Sequence, residues 1–186
     1  GQYDFKVEGA TVTNGATLTD DGATPGHLNV TGVSGGGMVL TGNNTYSGGT
    51  EVDAATVTLG HANALGVQAA AGVPDIFLRN GAALRFVADM DINALVTGRL
   101  DTASAGILLV GAANASKNID LSNHPGIVVG SADGSLDYTG TLTPSSAIDT
   151  YRLGGGSPTY AGTPNRGFAV SNLADGAEAN KVVIGT

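Results

Sequence analysis

Leu40-Thr41-Gly42-Asn43-Asn44-Thr45-Tyr46-Ser47-Gly48-Gly49-Thr50-Glu51-Val52-Asp53-Ala54-Ala55-Thr56-Val57-Thr58-Leu59-Gly60 is the stretch on which the reading of this chain turns. Its second half alternates. Val57 and Leu59 share one face and Thr56 and Thr58 the other, the period-2 signature of a half-buried strand. Its first half supplies a corner. The side-chain oxygens of Asn43, Asn44 and Thr45 can satisfy the backbone groups of a turn. Gly48 and Gly49 let the chain fold back from Tyr46 into another strand at Glu51 and Val52. Tyr46 brings one large apolar body with a polar tip.

The same pattern runs outward in both directions. Phe5 and Val7 alternate with Asp4, Lys6 and Glu8, and residues 10–13, 16–19, 28–31 and 84–87 repeat the alternation. Continuous apolar runs at 107–110, 127–129 and 182–184 suit strands buried on both faces, or strands at a junction. Asn14 and Asn80 each precede a glycine, as do Asp21, Asp133 and Asp175; such dipeptides supply the positive φ of tight turns. Further glycine breaks fall at 34–37 and 154–156. Residues 62–66 read as one short turn, 67–72 as a helix or a loop, and no amphipathic helix of ten residues stands out. The class is all-β, with short strands and little or no helix.

Residues 11–19 and 77–85 echo one another, each reading strand, Asn-Gly-Ala, strand. Imperfect recurrence of this kind is what stacked coils produce. A sandwich is the competing architecture, but it brings Greek-key connections and larger core residues. This chain has 5 Tyr, 4 Phe and no Trp. A β-solenoid reoccupies each core position one strand spacing above itself, which favours small stackable side chains. Residues 1–186 therefore read as a single β-solenoid segment, with roughly seven to nine coils of ~20–25 residues.

Composition removes whole classes. Eight Lys and Arg against 16 Asp and Glu give a net charge of −8, with no basic run to neutralise phosphates. No apolar run approaches the ~20 residues of a membrane helix. Without cysteine there is no disulfide framework or thiolate metal site, and the absence suits an exported bacterial protein. Val, Leu, Ile and Phe make up 44 of 186 residues, just above the range of chains that stay disordered. Glycine and proline, 36 of 186, then read as corner material. Gly1 is no start methionine, so a mature product or an excised piece of a longer protein is expected.

Over residues 38–66, the chain resembles the autotransporter-associated β-strand repeat. The match runs from Leu40 to Gly60 and on through His61-Ala62-Asn63-Ala64-Leu65-Gly66. That family reads L-T-G-x-N-T-Y-x-G-x-T-x-V, a small-residue turn, G-T-L-x-L-G and a short A-L-G segment. Ala55 departs from it, where the family usually has glycine. Residues 76–84 resemble the family's usual sequel, and 138–144 and 151–156 resemble segments of large secreted repeat proteins more loosely. The resemblance implies a right-handed parallel β-helix of the passenger type, at the bacterial surface or secreted. It makes Asn43, Asn44, Tyr46, Gly48, Gly49, Leu59 and Gly60 structural residues and implies no catalytic activity or cofactor.

Candidate chemistry is thin. Asp89-Met90-Asp91-Ile92-Asn93 opens like a calcium loop, but Ala94 stands where glycine is needed and Leu100 where the closing glutamate belongs. The plainer reading is an alternating strand with Met90 and Ile92 inward. His27, His61 and His124 are isolated and read as loop or surface residues. Asp20 with Asp21, or Asp133 with Asp137, are the candidate carboxylate pairs of a glycosidase or lyase, with an arginine among Arg79, Arg85 and Arg99. Gly154 to Gly156 lack the lysine of a phosphate loop.

Three functions are expected in descending order. The first is a non-enzymatic structural or adhesive module that meets neighbouring copies or adjacent repeat modules through open solenoid ends, self-association end to end giving filaments. The second is an adhesin module binding surface glycans or a receptor through loops at 67–75 and 145–165. The third is a carbohydrate-active β-helix enzyme.

Overall fold

The computed structural model describes residues 1–33, 36–133, 135–154, 167–173 and 181–184. Along the chain these form β1 (Gln2–Glu8), β2 (Thr11–Asn14), β3 (His27–Val33), β4 (Gly37–Leu40), β5 (Thr50–Asp53), β6 (Thr56–Leu59), β7 (Ile76–Arg79) and β8 (Ala82–Phe86). One short helix, α1 (Ile92–Gly98), follows. Then come β9 (Gly106–Val110), β10 (Ile119–Asp120), β11 (Ile127–Ser131), β12 (Ser135–Thr143), β13 (Thr150–Leu153), β14 (Gly167–Leu173) and β15 (Lys181–Ile184). Neighbouring strands pair in parallel, and the whole is a β-solenoid of about six turns.

The spine is an eight-stranded sheet in the order β2-β4-β6-β8-β9-β11-β13-β15. Its register stacks Val12, Met38, Val57, Leu84, Leu108, Val129, Leu153 and Ile184 in one inward column. Met38, Val57, Leu84, Leu108 and Val129 are fully buried. Each is covered above and below by a residue of its own kind, which is how small aliphatic side chains close a narrow core. Successive partners along this sheet lie 26, 19, 27, 24, 21, 24 and 31 residues apart. The solenoid makes about six turns, fewer than the seven to nine anticipated, and three of these steps exceed the expected ~20–25 residues.

Two side sheets lean on this spine. The first, β1-β3-β5-β7, spans the first four rungs. Its strands precede their spine partners by short corners, such as Gly9-Ala10, Ala54-Ala55 and Asn80-Gly81. The second, β10-β12-β14, lies on the return limbs; β12 begins four positions after β11 ends. Helix α1 stands where one gives way to the other. It packs on β10, and Asn93 Oδ1 accepts a hydrogen bond from Asp120 N at 2.9 Å. The helix thus covers the first edge of the second side sheet, which would otherwise offer unpaired backbone groups.

Several local expectations are corrected. Residues 89–93 do not form a strand: Asp91 caps α1, its Oδ1 accepting from Ala94 N at 2.9 Å, and Ile92 is the first helical residue. Residues 16–19 form no strand either, although Leu18 is buried. The echo between 11–19 and 77–85 does not survive in space. Asn80 and Gly81 turn a corner between two sheets with φ of 51° and 74°, whereas Asn14 ends β2 on the spine and carries no positive φ. Residues 182–184 are exposed, not buried: β15 is an edge strand of the spine among the described residues. The apolar run of β9 is buried on both faces as anticipated: Leu108 and Val110 point to the core, and Leu109 packs outside with Ala83 and Ala132. The glycine breaks at 34–35 and 155–156, the turns at Gly134 and Asp175, and the greater part of the 145–165 loop lie outside the described residues.

Candidate functional site

The repeat unit at 38–66 builds a polar spine on the return limbs. Asn44 is fully buried, and its carboxamide ties three rungs together. Its Oδ1 accepts from Leu18 N at 2.9 Å in the rung before, and its Nδ2 donates to Ala64 O at 2.6 Å in the rung after. Here the backbone is too irregular for a ladder, so a side chain supplies the missing donor and acceptor. Asn43 Oδ1 accepts from Asn63 Nδ2 at 2.9 Å on the outside of the same turn.

Around this lies a closed network. Asp20 accepts from Gly26 N at 2.7 Å and from Ser47 N and Ser47 Oγ at 2.8 Å each. Those hydrogen bonds, Gly26 foremost, hold its carboxyl below the ordinary value. Tyr46 Oη lies 2.6 Å from Thr50 Oγ1, both side chains fully buried, and burial pushes the phenol upward. Gly48 N donates to Gly26 O at 2.7 Å, and a Cβ on Gly48 would lie 2.6 Å from that same oxygen. Gly49 takes the positive φ of 92° that swings the chain into β5. Gly60 N donates to Leu40 O at 2.8 Å, and Leu59 fills the core. The positive φ in the next corner sits on Ala54 at 51°, one place before the Ala55 that departs from the repeat.

Two parts of the network were invisible in the sequence. Arg99 grips Asp75 through Nε and Nη2 and reaches back to the carbonyls of Leu65 and Gly66. Asn114 repeats the role of Asn44: it is fully buried, accepts from Met90 N at 3.1 Å and donates to Ala88 O at 2.8 Å. No recurring string surrounds Asn114, and Arg99 and Asp75 lie 24 residues apart.

The candidate catalytic and metal groups do not converge. Asp89 pairs with Lys117 at 3.0 Å, Asp91 caps α1, and Asn93 binds the edge of β10. Asp133 accepts from Ala112 N, while Asp20 serves the first rungs and Asp137 is exposed on β12. Arg79 pairs with Glu51 at 2.6 Å, and Arg85 donates to Ala132 O at 2.8 Å. His27 Nδ1 donates to Gly48 O, and His61 Nδ1 accepts from Asn63 N. His124 is not a surface residue: it is 4% exposed, and its buried Nδ1 has no hydrogen-bond partner. Among the described residues no three His, Asp or Glu side chains gather as a metal site, and no helix is long and apolar enough to cross a membrane.

One groove opens on the return side, about 350 Å³, between the 62–68 turn and α1. Asn63, Gln68, Asp91 and Arg99 rim it, and Met90 and Leu95 form part of its wall. No family model, curated protein or solved structure matches the chain.

Proposed function

We propose that the chain is a non-enzymatic structural or adhesive module of a bacterial secreted or cell-surface protein. Its open solenoid ends would join neighbouring copies or adjacent repeat modules. One observation carries this reading. Among the described residues the inward column of the spine is fully buried at its middle rungs, while Val12 and Ile184, on its two edge strands, are 47% and 80% exposed. Export rests on the resemblance of residues 38–66 to the autotransporter-associated repeat. The network supports a structural role, since its polar side chains serve the protein's own backbone across rungs. Sedimentation velocity over a concentration series tests this; growth with concentration is expected, and a monodisperse monomer throughout removes the self-association.

The groove favours a second reading, a glycan- or receptor-binding adhesin module. Side-chain oxygens of Asn63, Gln68 and Asp91 meet an apolar wall there, the mixture that sugars require. No aromatic ring lines the groove, and Arg99 is already engaged by Asp75, which ranks this reading second. Glycan-array binding lost on Asp91→Ala would establish it. A carbohydrate-active enzyme ranks last, because Asp20 is taken up by Gly26 and Ser47, and Asp133 accepts from Ala112 N and faces Arg85.

A further inference from the structure

We infer that the groove between the 62–68 turn and α1 is a seat for a lysine side chain: a primary ammonium on an unbranched aliphatic stem, delivered by the surface of a partner protein. The inference rests on the second reading above, and it chooses the protein receptor over the glycan.

A count of spent hydrogen-bonding groups carries it. The donors around the groove are engaged within the chain. Gln68 Nε2 donates to Val73 O at 2.8 Å and to Gly98 O at 2.6 Å, which also braces the 67–73 loop against the end of α1. Two carbonyl oxygens accept only from the amide nitrogen, so the orientation of this carboxamide is fixed and Oε1 is left over. Asn63 Nδ2 donates to Asn43 Oδ1, and every nitrogen of the Arg99 guanidinium already binds Asp75 or the carbonyls of Leu65 and Gly66. The acceptors are in the opposite state. Gln68 Oε1 and Asn63 Oδ1 have no hydrogen-bond partner among the described residues, and Asp91 spends only Oδ1, on Ala94 N. Three segments thus bring unspent oxygens to one groove. Sugar hydroxyls carry acceptor oxygens that call for donors as well. An ammonium has three N–H donors and no acceptor, which matches what the groove has left.

Charge and shape agree. Of the two charged residues that line the groove, Arg99 is neutralised by Asp75, and Asp91 belongs to no ion pair among the described residues. The groove therefore keeps a negative charge, in a chain whose net charge is −8, and that draws a basic partner. Met90 and Leu95, with Ala62 and Ala94, give a methylene stem an apolar wall to lie on. At about 350 Å³ the groove is at the small end of ligand sites, with room for one side chain and not for a run of sugar rings. Val67 and Val73, on the loop that Gln68 ties down, are 43% and 56% exposed. A small free amine leaves them in water, whereas a protein surface that delivers a lysine covers them.

The side-chain amides of Asn63 and Gln68 report on the site through nitrogen–proton correlation NMR. Nα-acetyl-lysine methylamide is titrated into the full chain, and its Nε-acetylated form and methyl glucoside are titrated separately. Saturable shifts of both amides with the lysine probe are expected, with binding about tenfold weaker once the ammonium is acetylated. Asp91→Asn keeps the helix cap and should weaken the lysine probe about fivefold. Asp137→Asn, exposed on β12, should leave it unchanged. Equal shifts from the acetylated probe, or equal losses in the two variants, overturn the ammonium seat. Methyl glucoside alone saturating these resonances overturns it too, but leaves the second reading standing on its glycan side. No response to any probe overturns both.

Discussion

Arg99 and Asp75 form a two-pronged ion pair, Nε to Oδ1 at 2.9 Å and Nη2 to Oδ2 at 2.8 Å. Their side chains are 17% and 11% exposed. The same guanidinium donates to Leu65 O at 2.8 Å and Gly66 O at 3.0 Å, so one side chain fastens the end of the repeat unit to the loop before β7. Removing either partner strands a charge in a largely closed site, at about 3 kcal/mol or more. Asp75→Ala and Arg99→Ala should each show that loss in urea unfolding. Arg99→Lys should recover little of it, because an ammonium cannot span the carboxylate and two carbonyls together.

Asn44 and Asn114 hold rungs where no ladder exists. Asn44→Ala leaves Leu18 N and Ala64 O buried without partners, and each such group costs about 1–3 kcal/mol. Asn44→Asp keeps the acceptor but turns an oxygen toward Ala64 O. It should therefore destabilise further at neutral pH and partly recover in acid, as followed by thermal melts at two pH values.

Backbone conformation sets a pair of opposite effects. Ala54 sits exposed at φ 51°, a conformation that costs an alanine about 1–2 kcal/mol. Ala54→Gly should raise stability by about 0.5–1 kcal/mol after the entropy of the freer unfolded chain is counted. Gly66 at φ 65° is the reverse: an added Cβ would lie 2.3 Å from Tyr46 O. Gly66→Ala should lower the melting temperature sharply.

Stability should fall with acid in two windows. Burial, foremost, holds His124 below its ordinary 6.5; the carbonyls of Val96 and Asp101 and the carboxylates of Asp120 and Asp101 oppose it. The unfolded chain then takes up a proton at that position before the folded one does. Its contribution is whole above 6.5 and is lost as pH falls from there toward the folded value. Asp20, held below 3.8 by Gly26 and Ser47, loses its contribution only as pH falls below 3.8 through the folded value. His124→Gln should flatten the upper window and leave the lower one, read as unfolding midpoints from pH 8 to pH 3.

Much of the architecture was legible in the residues. Alternation marked β1, β2, β3, β6 and β8, and Gly48-Gly49 marked the corner into β5. These signals are local: a strand's period and a turn's φ belong to a few neighbouring residues. The same signals misplaced 16–19 and 89–93, where the alternation is real but the chain lies on a return limb. At 89–93 a cap by Asp91 and contact of α1 with β10 decide the conformation, and at 16–19 the Asn44 carboxamide takes Leu18 N.

The sequence by itself determined that this chain stacks short strands of small apolar residues around glycine and asparagine corners. Period and turn chemistry are written in adjacent positions. Only the tertiary structure decided which strings share a wall, why the echo at 11–19 and 77–85 occupies different places, and how Arg99 meets Asp75 across 24 residues. It also decided that Val12 and Ile184 share one column. Those facts depend on return limbs of unequal length, and the register between rungs is set by what each limb can bury.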